Sequence, residues 1–112
     1  MEALPFASWF KDEEGKFTQA NEIFLNTTGK ELSQIIGRKD SEVFALDEAR
    51  KMEEGEQEVY RSGKISESTY SRNKRVIKTV HFPVRDELGN ISGTGGFRED
   101  ITNLTGSLQS LH

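Results

Sequence analysis

At 112 residues, about a quarter of them Leu, Ile, Val or Phe, the chain can build one domain around one modest core. A formal net charge of −4 argues against a nucleic-acid binder, which would carry a basic face. There is no cysteine, and only His81 and His112 offer imidazole, so disulfides, thiol chemistry and thiolate or histidine-rich metal sites are excluded.

In chain order, residues 7–12 (Ala-Ser-Trp-Phe-Lys-Asp) predict a short strand and residues 16–20 its return. Asp12-Glu13-Glu14-Gly15 forms the turn between them. Asn21 is placed to cap a helix that carries Phe24, Leu25 and Thr28 and stops at Gly29. Leu32, Ile35 and Ile36 suggest a second helical turn ending at Gly37, and Asp40 to Phe44 a third. A longer helix is expected from an N-cap at Asp47 to about Arg61, closed by Gly63. Ala49, Met52, Glu56, Val59 and Tyr60 share its buried face. Gly55 in its middle costs up to about 1 kcal/mol relative to Ala; it marks either close packing or room for a ligand.

From residue 65 the hydrophobic period changes from helical to alternating. Ile65–Arg72, Val76–Val84 and Ile91–Asp100 read as three strands joined at Asn73-Lys74 and Arg85–Asn90, an antiparallel meander. The basic cluster Arg72, Lys74, Arg75 and Lys78 falls on the first of these turns and reads as solvated charge rather than a nucleic-acid patch. In the tail, Leu104, Leu108 and Leu111 are spaced as one side of a helix; the region 103–112 is either the start of a linker helix or a disordered end. No apolar run is long enough to cross a membrane, and no signal-peptide pattern is visible. The first strand begins a few residues after Met1, so the chain is expected to be a piece of a longer protein.

Five segments together resemble the PAS domains of sensor proteins. They are Trp9-Phe10-Lys11-Asp12 with Gly15-Lys16-Phe17 and Ala20-Asn21; Ile36-Gly37 with Asp40; Val59 through Gly63-Lys64; Pro83-Val84-Arg85-Asp86 with Gly89-Asn90-Ile91; and Asp100-Ile101-Thr102. Each segment is weak alone, but all five lie in the family's order over residues 5–102. The resemblance implies an α+β fold, with a five-stranded antiparallel sheet in order 2-1-5-4-3, helices over one face and a cavity between them. It implies a PAS domain over residues 1–102 of a sensor histidine kinase, a diguanylate cyclase or a related bacterial, cytoplasmic regulator. An output domain would follow. A flavin-reactive cysteine and a haem-ligating histidine on the long helix are both absent, so neither cofactor is expected, although an unidentified small ligand is.

Within this frame the pocket candidates are Trp9, Phe24, Met52, Glu56, Ile77, Thr79 and Arg98. Trp9 is either a core filler or a platform for a ligand. The family register turns Ile77 and Thr79 inward. It leaves Val80 and Phe82 on the outer face as candidates for a weak homodimer contact, or as ordinary partly exposed residues. Arg98 has three readings: a guanidinium that reaches solvent, an internal ion pair with Glu53 or Glu56, or a holder of an anionic ligand. Asp100 and Thr102 are placed to fix the exit of the last strand. The leading expectation is a sensory or coupling module; the alternative is a ligand-free dimerisation scaffold. A small enzyme using Glu53 or Glu56 as base lacks any visible nucleophile–base pairing.

Overall fold

The computed structural model describes residues 6–102. The expected tail, with Leu104, Leu108 and Leu111, lies outside the described residues. An opening hairpin pairs β1 (Ala7–Asp12) with β2 (Phe17–Ala20). Its turn closes through Gly15 at φ 82°, a conformation that costs an L side chain more than it costs glycine. Three helices follow: α1 (Glu22–Thr28), α2 (Asp40–Val43) and α3 (Leu46–Ser62), with a 3-10 turn at Leu32–Gln34 between the first two. A meander of β3 (Ser66–Arg72), β4 (Arg75–Arg85) and β5 (Ile91–Asp100) completes the chain.

Caps explain several of these boundaries. The Asn21 carboxamide accepts the Phe24 amide at 3.0 Å and the Ser8 amide at 3.1 Å, and donates to the Phe6 carbonyl at 2.9 Å. One side chain therefore starts α1 and ties it to β1. The long helix starts two residues earlier than the sequence suggests. Its N-cap is Ala45, with no side-chain cap, and Asp47 lies in the first turn, where its charge still suits the positive end of the helix. Asn73 and Lys74 both take positive φ, the two-residue hairpin geometry that matches strand twist.

The sheet is antiparallel throughout, in order β2-β1-β5-β4-β3, which places the last strand in its centre. The register defines rows across the inner face. Trp9, Gly96 and His81 form one row; Ala7, Arg98 and Thr79 form the next; Lys11 and Thr94 form a third. The core packs over these rows through Trp9, Phe17, Phe24, Ile35 and Met52. From α3, Ala49, Met52, Glu56 and Val59 are buried. Tyr60, expected among its anchors, is 42% exposed: it falls to the edge of the buried stripe.

Candidate functional site

Strand alternation sends Trp9 and Lys11 to the same, inner face of β1. Trp9 fills space there. Its ring lies 5.3 Å from Phe24 and 5.9 Å, edge on, from His81, and a Cβ on Gly96 would meet the indole at 2.5 Å. Lys11 is less ordinary, because its ammonium is buried with no exposure of the side chain. It donates to Asp40 Oδ2 at the start of α2 and to Glu56 Oε2 on α3, closing a buried bridge between the sheet and two helices. His81 Nε2 stands 3.9 Å from the same Glu56 oxygen.

These four groups set one another's protonation. Burial, only partly offset by Lys11, pushes the Glu56 carboxyl up to about 7, with the Asp40 carboxylate adding to the rise. Asp40 is raised as well, again chiefly by burial against the attraction of Lys11. Burial, with Lys11 and then Arg98 as nearby cations, brings His81 down to about 4, so its imidazole is neutral at pH 7. Its ring lies against the middle of α3, where a Cβ on Gly55 would sit 2.3 Å from Nδ1. Gly55 is thus explained by close packing.

Arg98 lies one row from His81 and is largely buried. Its guanidinium pairs with Glu48 at 3.4 Å, not with Glu53 or Glu56. Glu56 is engaged by Lys11, and the row position of Arg98 brings it to the first turns of α3 instead. The guanidinium also faces Met52 Sδ at 3.8 Å and lies over the Phe44 ring at 5.6 Å. Two clefts meet at this side chain. One of about 390 Å³ is lined by Phe6, Ala7, Ile23, Ile77 and Asp100; the other, of about 280 Å³, is lined by Val43, Phe44, Ala45 and Glu48. Arg98 and Thr27 line both.

Of the pocket candidates, Trp9, Phe24 and Met52 are core residues packed together, while Ile77, Thr79 and Arg98 gather on the inner sheet face beside the clefts. Four buried polar atoms on two adjacent rows make no hydrogen bond among the described residues: Trp9 Nε1, His81 Nε2, Thr79 Oγ1 and Arg98 Nε. On the outer face, Phe10 and Phe82 meet edge to face at 6.0 Å. Val80, expected to be exposed there, is only 5% exposed, so it is a packed residue and offers a partner little surface. At the strand exit, Asp100 bonds Arg75 and the Thr102 amide. The Thr102 hydroxyl accepts the Val76 amide at 2.7 Å.

Residues 1–106 match the family described as PAS fold. This chain belongs to the PAS fold family. Among curated proteins it is 23% identical over 100 residues to the methanogenesis regulatory histidine kinase FilI of Methanothrix harundinacea, covering 86% of this chain and 11% of that protein. Among solved structures it superposes on a sensory box sensor histidine kinase from Vibrio cholerae (TM-score 0.79, 17% identity, 88% of this chain and 83% of that one). It also superposes on Vibrio cholerae VqmA in a complex with ligand and DNA (TM-score 0.77, 22% identity, 96% and 53%). The PAS domain thus spans a small part of the kinase relative and about half of VqmA. As a PAS domain of the kind found in signalling proteins, it is sensory in class, and no helix among the described residues is long and apolar enough to cross a membrane.

Proposed function

We propose that this PAS domain is the sensory or coupling module of a larger signalling protein, a histidine kinase or nucleotide cyclase among the candidates. It takes up a small polar ligand between sheet and helices and relays the change to an output domain. The observation that supports this reading is the set of buried, unbonded polar atoms on Trp9, Thr79, His81 and Arg98, because such atoms are costly unless something pairs with them. Arg98 is within reach of solvent through two clefts and favours an anionic group, a small carboxylate above all. In this reading residues 1–102 are the unit, and 103–112 are either the start of a linker helix or a disordered tail. Asp100 and Thr102 couple the end of β5 to the start of β4, so a shift of the central strand reaches the exit directly. The module is non-catalytic, resides in the cytoplasm and binds neither flavin nor haem; the purified domain should show no visible absorbance.

A thermal-shift screen of small carboxylates tests the ligand reading, with mass spectrometry of molecules released from the purified domain. Ligand binding to the folded state alone raises the melting temperature. The shift should vanish in Arg98→Met paired with Glu48→Gln, which removes the guanidinium without stranding a charge. A second reading, a ligand-free weak dimer, draws on the outer-face pair of exposed Phe10 and half-buried Phe82. It gains the lead if no carboxylate shifts the wild type and nothing copurifies.

A further inference from the structure

The Lys11 cluster contains one ammonium, two carboxyls and one imidazole, all nearly excluded from water. With both carboxyls ionised and the imidazole neutral, the interior would hold a net negative charge. A buried uncompensated charge is strongly disfavoured. The arrangement therefore favours holding one extra proton. We propose that Lys11, Asp40, Glu56 and His81 form a proton-responsive clamp, in which loss of the shared proton, or gain of another on His81, loosens α2 and α3 from the sheet.

Geometry supports this assignment from four directions. Lys11 comes from β1, Asp40 from α2, Glu56 from α3 and His81 from β4, so the cluster spans the helix–sheet interface. Asp40 Oδ1 has no hydrogen-bond partner among the described residues and can carry a proton. Charged groups around the cluster sharpen the response: Glu53 of α3 opposes ionisation of Asp40, and Arg98 of β5 opposes protonation of His81. Tyr60 of α3 also feels the Glu56 charge. If the proton leaves, Asp40 and Glu56 repel across one lysine. If a second proton binds, an imidazolium is pressed against Gly55 beside Lys11.

The two titrations act on stability with opposite signs. Glu56 is raised from 4.5 to about 7 in the fold, so its contribution is full below 4.5 and is lost as pH rises through 7. Asp40, also raised, adds in the same sense. His81 is lowered from 6.5 to about 4, so its contribution is full above 6.5 and is lost as pH falls through 4. Between about 4.5 and 6.5 the two largely cancel, giving a plateau that falls off on both sides.

The experiment is equilibrium urea unfolding of wild type, Glu56→Gln and His81→Gln from pH 4 to 8.5. The wild type should show the plateau. In His81→Gln the unfolding constant should grow on the order of tenfold per pH unit between about 4.5 and 7. In Glu56→Gln it should instead shrink as pH rises toward 6.5. If all three profiles have one shape, the clamp is wrong. Should a variant not fold, carbon-13 titration of the wild-type Glu56 carboxyl decides: a midpoint near 7 supports the clamp and one below 5 overturns it. Hydrogen exchange, corrected for intrinsic rates, should show α3 amides less protected at pH 8.5 than at pH 6; equal protection would overturn the link to the helices.

Discussion

His81 on β4 presses its imidazole against the backbone of Gly55, with no room between them for a methyl group. Replacing Gly55 by Ala sets two effects against each other. Helix propensity favours Ala by up to about 1 kcal/mol. Overpacking against the ring costs about 1–3 kcal/mol. The 2.3 Å approach to the ring favours the clash, and Gly55→Ala should destabilise by up to about 2 kcal/mol in urea unfolding. The pair Gly55→Ala with His81→Ala should recover part of that loss. A Gly55→Ala variant more stable than wild type would mean that α3 can rise off the sheet at little cost.

The Arg98–Glu48 pair is the second test. Both side chains are almost out of water, at 13% and 12% exposed. Arg98→Ala removes the counter-charge of a buried carboxylate and should cost about 3 kcal/mol, the lower part of the range for breaking a buried pair. Arg98→Met with Glu48→Gln should lose much less, about 1 kcal/mol, because no charge is stranded. A loss under about 0.5 kcal/mol for Arg98→Ala would place the guanidinium in solvent instead.

The outer face gives a third prediction. Val80 is packed, so Val80→Asp should lower stability by about 2–4 kcal/mol through burial of an unpaired carboxylate. Phe82 is only half-buried and touches Phe10. Phe82→Ser should weaken any self-association at least tenfold, on the order of 1.4 kcal/mol, while the monomer stays folded. Sedimentation equilibrium and urea unfolding separate the two effects. If Val80→Asp keeps wild-type stability, the packing described for that residue is wrong.

How much of this was legible beforehand depends on the kind of contact. The elements follow from local chemistry. Asn21 capping α1, Gly29 and Gly63 closing their helices, and the Asn73-Lys74 turn are each written in a few adjacent residues. The family resemblance supplies the strand order. The buried cluster was half visible: alternation that turns Trp9 inward turns Lys11 inward too, and both Lys11 and Asp40 lie in the matching motifs. A lysine is ordinarily solvated, so alternation alone does not mark Lys11 as buried. The Arg98 partner was out of reach for another reason. Helical phase puts Glu48 and Glu56 on related faces, but they stand eight residues, about 12 Å, apart along the axis. Only the β5 register says which of them Arg98 meets. The uncapped start of α3 at Ala45 likewise overrode the local preference for Asp47.

The central place of β5 also bears on how the domain is made. Strands β1 and β2 leave the ribosome early, yet β1 keeps an open edge until residues 91–100 arrive, and so does the β3–β4 pair. Before then the nascent chain holds two separate ribbons under partly formed helices, each with an unpaired edge that invites wrong partners. Pairings across such long sequence gaps also slow folding. A chain truncated before Ile91 should therefore be caught in this divided state, its hairpin and its meander lacking the strand that unites them.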